Sequence, residues 1–333
     1  MQKLILADGR WFGTHGIGRF AHEVLSRLKK TEILTSGPPP LSVNNLAWQA
    51  RYLYKNKARY KVFFNPGYNP ILLSSIPYVL TIHDLIHLFA PGSTSLAKKM
   101  YYKFLMKPSA KNAYKILTVS EYSKKNIIEW ANIPERNIVV VGNGISHQFN
   151  IEGATRQPGY PYLLHVGNNK PHKNLARLIQ AFAVANIDPS LRLILTSALT
   201  NDAEALVKKY HLENRIIIHC NISDEKLAEY YRGATAFLFP SLYEGFGIPV
   251  IEAMSCGTPT LVSNVTSLPE IAGDAAVLVD PNSIESITQG IEKIVLDTTL
   301  RENLIRNGLE RVKLFSWDKT AAKVQLVLNG LAS

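Results

Sequence analysis

Between Pro240 and Met254 the chain reads PSLYEGFGIPVIEAM, with two carboxylates, Glu244 and Glu252, flanking the turn Gly245-Phe246-Gly247-Ile248 and the proline Pro249. Proline suits the first position of a helix, where a missing N–H costs nothing, so this stretch reads as a strand end joined to a helix start. The amides of Gly245 to Ile248 would then lie at the positive end of the helix dipole, where glycines let a diphosphate approach the backbone closely. A turn of this kind at the carboxyl end of a strand is where open α/β sheets bind ligands. Glu244, on the turn, can accept hydrogen bonds from sugar hydroxyls, and Glu252, one turn into the helix, can reach a ribose diol. Taken singly, Glu252 would only complement the dipole and Glu244 would be a solvated carboxylate; with the glycines between them, the ligand-binding reading wins.

Other residues carry weaker signals of the same sort. His83 follows an apolar run and precedes Asp84, which puts an imidazole at a strand's carboxyl edge. A lone histidine there is more often structural. The segment Gly13-Thr14-His15-Gly16-Ile17-Gly18 reads as a glycine-rich loop, and Gly16 and Gly18 would let backbone approach phosphates. Its spacing is not the G-x-G-x-x-G of nicotinamide-binding folds, and the second strand runs into Thr35-Ser36 rather than an acidic residue, which sets a dehydrogenase aside. No Asp-x-Asp occurs, so a metal-bridged diphosphate site is not encoded and metal-independent chemistry is expected.

The elements that must position these residues alternate in type. Short apolar or β-branched runs fall at 3–7, 31–35, 61–65, 78–83, 115–119 and 137–141, then at 162–166, 192–196, 215–219, 236–239, 260–263 and 276–279. Helix-period segments fill the gaps, the clearest early one at 19–30 with Phe20, Val24, Leu25 and Leu28 on one face. This is the pattern of βαβ units and parallel sheets. At 333 residues, with 46% apolar composition, the chain fits two domains with full cores and a cleft between them. Periodicity lapses at 146–160, so the domains are expected at 1–150 and 151–317, with an amphipathic helix, 318–333, free to join either. No run reaches the roughly 20 apolar residues of a membrane span, and the start lacks a signal-peptide pattern. Two cysteines, Cys220 and Cys256, without metal-ligand spacing suit a reducing cytoplasm. The net charge of +11 points to an anionic partner.

Glu244 through Glu252 matches the Glu-x7-Glu motif of retaining GT-B glycosyltransferases, and the text around it resembles family 4. The likeness extends through His165-Val166-Gly167-Asn168-Asn169-Lys170-Pro171-His172-Lys173-Asn174-Leu175, Ile222-Ser223-Asp224-Glu225, Cys256-Gly257-Thr258-Pro259 and Ser267-Leu268-Pro269-Glu270. It is looser in the first half, at Gly16–Gly18, Thr81-Ile82-His83-Asp84, Thr118-Val119-Ser120 and Gly142-Asn143-Gly144. The resemblance implies two Rossmann-like, doubly wound α/β domains facing a cleft, the first for the acceptor and the second for a nucleotide sugar. It implies that Lys173 binds the donor diphosphate, that Ser223, Gly245, Phe246, Gly247, Ile248 and Glu252 join it, and that Gly16 and Gly18 approach from the first domain. It assigns His83 and Glu244 to the reacting sugar. The family usually carries arginine where this chain has Asn168, and Lys170 or His172 would have to replace it; a solvated loop residue is the commoner case for either. No cofactor beyond the donor is implied. Bacterial mannosyl- and rhamnosyltransferases of polysaccharide biosynthesis are the members most similar, so mannose from GDP-mannose and a saccharide or polyprenyl-diphosphate-linked acceptor are expected. A GT-B nucleotide-sugar epimerase, which needs no acceptor, and a basic polyanion-binding module are the rival readings; no nucleic-acid motif supports the latter.

The segment 95–107 bears on location. As an α-helix it would place Leu96, Met100, Tyr101, Phe104 and Leu105 on one face and Lys99, Lys103 and Lys107 in a stripe. Either the apolar face packs on the first sheet with the lysines solvated, or the segment rests on anionic lipid at the inner face of the cytoplasmic membrane.

Overall fold

The computed structural model describes residues 4–13 and 16–332. The chain divides into two compact units. One comprises the residues up to Leu88, Thr94–Gly144 and everything from Ser316; the other comprises Phe89–Ser93 and Ile145–Phe315.

In the first unit six strands form a parallel sheet: β1 (Leu4–Asp8), β2 (Thr31–Leu34), β3 (Tyr60–Asn65), β4 (Tyr78–Thr81), β5 (Lys115–Thr118) and β6 (Ile138–Val140). Their order is β2-β1-β3-β4-β5-β6. Val62, Phe63, Phe64, Val79, Leu80, Ile116 and Leu117 are fully buried, as expected where helices cover both faces of a parallel sheet. Chain direction across the sheet reverses between β1 and β3, which opens a crevice at their carboxyl ends.

The second unit repeats the plan with β7 (Tyr162–His165), β8 (Arg192–Leu195), β9 (Ile216–Ile218), β10 (Ala236–Phe239), β11 (Thr260–Ser263) and β12 (Ala276–Val279), in the order β12-β11-β10-β7-β8-β9. Here the switch point lies between β7 and β10. All twelve strands fall where apolar runs predicted them, although residue 3 lies outside the described residues.

Three expectations need correction, and the place of the terminal helix, left open, is resolved. The first helix is Gly16–Leu25, so Gly16 and Gly18 stand inside it and not in a loop before it. Gly18 is there because a Cβ would sit 2.5 Å from the Gly13 carbonyl oxygen, while nothing crowds Gly16; the intervening Thr14 and His15 lie outside the described residues. The stretch 146–160 is not a free linker. Phe149 is buried against Tyr231, Ser255 Oγ donates to the Phe149 carbonyl, and Arg232 holds the carbonyls of Asn150 and Ala154, which ties the stretch into the second unit. The terminal helix Trp317–Ala332 joins the first unit: Val324 and Leu328 are buried, Arg27 Nε meets Asp318 Oδ1 at 2.7 Å, and the Lys29 amide donates to Gln325 Oε1.

The last correction concerns 95–107. The helix Leu96–Tyr101 passes into a π-helical stretch, Tyr102–Met106, and then into the helix Lys107–Asn112. A π turn takes more residues than an α turn, so the buried face is re-phased. Tyr102, Met106 and Ala110 are the residues that pack inward, Tyr102 against the Tyr101 and Trp130 rings. Leu96, Met100 and Phe104 are 78%, 49% and 54% exposed and share the solvent side with Lys99 and Lys103, while Lys107 is half-buried. Among the described residues no helix is long and apolar enough to cross a membrane.

Candidate active site

In the second unit the predicted residues gather at the switch point. The loop after β7 ends in a 3-10 turn, Pro171–Lys173, closed by Asn174 in the left-handed region at φ 61°. Asn174 Nδ2 donates to the carbonyls of Pro240 and Pro281, at 2.9 and 2.7 Å, and the Leu242 amide donates to the His172 carbonyl at 2.7 Å. These bonds lock the loop after β7 to the loop after β10 and bring Lys173 against Glu244. Lys173 Nζ lies 2.7 Å from Glu244 Oε1, with the two side chains only 11% and 12% exposed. The ammonium also sits over the Phe239 ring, 4.6 Å from its centroid, a cation–π contact in a nearly dry setting. Gly167 gives the lysine stem its path, since a Cβ there would lie 3.3 Å from it.

The turn after Glu244 behaves as its sequence predicts, with one shift. The helix Ile248–Ser255 begins at Ile248, so Pro249 takes its second position, and Gly247 caps it at φ 96°. Only glycine adopts that backbone without strain, and a Cβ would lie 2.7 Å from Leu268 Cδ2. Phe246 is buried, edge-on against the Phe315 ring, so its side chain is taken up by packing within the second unit. Glu252 is buried and accepts a hydrogen bond from Tyr231 Oη at 3.3 Å. Ser223 is exposed and caps the helix Asp224–Gly233 by accepting from the Lys226 amide, so its hydroxyl already has a structural task. Asn168 is exposed and turns its own loop by accepting from the Lys170 amide; Lys170 is exposed and His172 buried.

Tyr231, Phe239 and Thr266 carry no sequence signal of their own, and Ser267 entered only through the resemblance, without a role. Ser267 Oγ donates to the Glu244 carbonyl and the Glu244 amide to Thr266 Oγ1, so the β11 loop braces the glutamate. His165, at the end of β7, is buried and donates from Nδ1 to the Leu238 carbonyl. Burial pushes its pKa down to about 4, with Lys173 acting in the same direction.

In the first unit His83 follows β4 and is nearly buried, edge-on to Phe20 at 4.8 Å, with Nε2 2.8 Å from the Pro66 carbonyl. Burial lowers its pKa, partly offset by the Pro66 bond and the nearby Asp84 charge, so the ring is held neutral. Asp84 Oδ1 accepts from Tyr68 Oη and from the Ile86 amide.

A helix N-terminus, a lysine and two carboxylates gather around one strand switch point, and two family descriptions match the chain. "Glycosyltransferase Family 4" covers residues 12–149 and "Glycosyl transferases group 1" covers residues 146–311. O-antigen chain mannosyltransferase B of Escherichia coli is 33% identical over 72% of this chain and 67% of its own length. The chain belongs to glycosyltransferase family 4. The serotype-specific mannosyltransferase WbdA of Escherichia coli is 27% identical over 79% of this glycosyltransferase, which spans 35% of that longer relative. A crystal structure of Anabaena HepE in complex with UDP and glucose superposes on 98% of the chain with a TM-score of 0.78 at 16% identity. The two parallel six-stranded units are thus the GT-B architecture.

Proposed function

We propose that this family 4 glycosyltransferase transfers a hexosyl group, with retention of configuration, from a nucleoside diphosphate sugar to a saccharide acceptor. Mannose from a GDP-linked donor is the favoured sugar, on the likeness to O-antigen mannosyltransferases. The observation that carries the reading is the Lys173–Glu244 contact beside the capped start of the helix Ile248–Ser255, with Glu252 one turn on. Lys173 and the helix amides would receive the diphosphate, Glu252 the ribose, and Glu244 the sugar hydroxyls. The anomeric carbon–oxygen bond to the β-phosphate breaks, the acceptor oxygen bonds to the same face, and the acceptor's proton passes to the departing phosphate oxygen. Charge grows on that phosphate as the bond lengthens, and a lysine in a dry site stabilises it more than water would. His83 is read as a sugar-positioning residue, and Gly16 and Gly18 as backbone that phosphates can approach. The acceptor is read as polyprenyl-diphosphate-linked and the place of work as the inner face of the cytoplasmic membrane, approached through the exposed Leu96, Met100 and Phe104 with Lys99 and Lys103.

The test is incubation with GDP-mannose and a synthetic lipid-linked mannoside, with and without EDTA. The expected result is acceptor-dependent GDP release, an α-linked product by NMR, and unimpaired turnover in EDTA. GDP release without acceptor would favour an epimerase, a reading the transferase relatives do not support. Recovery only on adding Mg²⁺ or Mn²⁺ would refute metal-independent transfer.

A further inference from the structure

Asn65, the last residue of β3, is fully buried and engages both ends of its amide. Its Oδ1 accepts from Trp11 Nε1 and from the Gly67 amide, each at 3.1 Å, and its Nδ2 donates to the Asn69 carbonyl at 2.6 Å. The loop so closed, 65–69, has no slack: a Cβ on Gly67 would lie 2.5 Å from the Trp11 ring. Asn69 is held in turn, its Oδ1 accepting from Asn45 and its Nδ2 donating to Gln49. Asn45 Oδ1 accepts from Arg10, which is clamped on the buried Asp8 carboxylate at 2.7 Å. This chain of satisfied bonds fixes the carbonyl of Pro66, the group that meets His83 Nε2.

A carbonyl oxygen only accepts, so the neutral ring carries its proton on Nε2 and leaves Nδ1 as an acceptor. His83 Nδ1 has no hydrogen-bond partner among the described residues. We propose that Asn65 is a positioning residue that sets His83 in the Nε2–H tautomer, so that the histidine meets substrate with Nδ1 accepting a sugar hydroxyl. The substrate half of this inference rests on His83 being a sugar contact; the tautomer half does not. A bare nitrogen selects for a hydroxyl hydrogen and is repelled by a phosphate or carbonyl oxygen, so the contact discriminates against anionic groups and against a sugar that lacks the hydroxyl.

Two measurements test it. Long-range ¹H–¹⁵N spectra of histidine-labelled protein at neutral pH, assigned with His83→Ala, are expected to show Nε2 protonated and Nδ1 bare. Asn65→Asp keeps both accepting bonds but cannot donate to Asn69; it is expected to yield a mixture of tautomers and a lower kcat with the fold intact. Gly67→Ala, which pushes the same loop by another route, is expected to do likewise. The Nδ1–H tautomer in the unaltered protein, or an unaltered tautomer in both variants, overturns the assignment to Asn65. For the substrate half, an asparagine carbonyl stands near the Nδ1 position and a glutamine carbonyl near Nε2. His83→Asn is therefore expected to keep about tenfold more kcat/KM than His83→Gln, the worth of one hydrogen bond. Equal or reversed activities with the tautomer as stated would overturn that half alone, and full activity of His83→Ala would remove His83 from the site altogether.

Discussion

At the scale of single residues, the contact between Lys173 and Glu244 sets the energetics of the site. Each charge neutralises the other at 2.7 Å, so on the proposed reading a diphosphate competes with Glu244 for Lys173, and a carboxylate so released can turn to sugar hydroxyls. Glu244→Gln removes the competitor without changing the shape. Leaving an ammonium nearly buried and unpaired costs stability, and an incoming anion restores its partner. The expected outcome by calorimetry is a lower Tm together with tighter GDP binding, while transfer is lost. Weaker GDP binding in that variant would count against the exchange. Lys173→Ala is expected to lose both GDP binding and transfer, and wild-type turnover in either variant would remove the pair from the site. His165 carries a separate expectation. Its folded pKa, about 4, lies below the unfolded value of about 6.5, so below pH 6.5 the unfolded chain takes up a proton that the folded chain refuses. Stability attributable to His165 is therefore intact above pH 6.5, falls by on the order of 3 kcal/mol between 6.5 and about 4, and levels off below. Urea unfolding across that range should show a shallower fall for His165→Gln than for the wild type; parallel curves would refute it.

At the scale of elements, much was legible because the period of a buried parallel strand is hard to imitate: Tyr162–His165, Ala236–Phe239 and Thr260–Ser263 are runs with every residue buried, set off by glycine and proline. The turn between Glu244 and Glu252 was legible because its glycines, proline and glutamates are adjacent in sequence. What sequence could not give was long-range pairing. Lys173 and Glu244 stand 71 residues apart, and the Asn174 bonds to two distant carbonyls, with the Leu242 amide on the His172 carbonyl, bring them together. Phase was lost where the helix changed type, so Leu96, Met100 and Phe104 of the expected apolar face are exposed while Tyr101 and Leu105 stay half-buried. Nor does the sequence reveal that Phe246 is used by Phe315 or that the Ser223 hydroxyl is used as a cap. The turn itself yields an element-scale prediction. Gly247→Ala must hold alanine at φ 96° and press a methyl against Leu268, so a cost of about 1–3 kcal/mol and a displaced helix start are expected. Denaturant unfolding should register the loss and calorimetry a weaker GDP affinity; an unchanged affinity would mean that the amides of this turn do not hold the diphosphate.

At the scale of the whole molecule, charge is distributed very unevenly. Residues 1–144 hold 20 Lys and Arg against 7 Asp and Glu, a net +13, and residues 145–333 hold 17 against 19, a net −2. The excess therefore belongs to the part of the chain that carries β1–β6, and the second unit, read as the donor-binding one, does not need it to hold an anionic nucleotide. On that reading one lysine and a helix start serve the nucleotide, whereas a diffuse excess of 13 charges suits an extended anionic surface. The exposed side of 96–104 has the composition for such a surface, with Leu96, Met100 and Phe104 to enter the headgroup layer and Lys99 and Lys103 to meet phosphates. Each lysine near an anionic bilayer contributes about 1 kcal/mol and loses it in salt, while the apolar contribution is indifferent to salt. Two variants separate these terms. Lys99, Lys103 and Lys107 all changed to Glu should abolish cosedimentation with phosphatidylglycerol vesicles at low salt. Leu96, Met100 and Phe104 all changed to Ser should bind at low salt but wash off at a lower salt concentration than the wild type. Vesicles of phosphatidylcholine alone should retain little of either protein. If the wild type stays in the supernatant with phosphatidylglycerol at low salt, or the glutamate variant pellets equally well, the helix is an ordinary solvated one and the basic excess answers to some other anion.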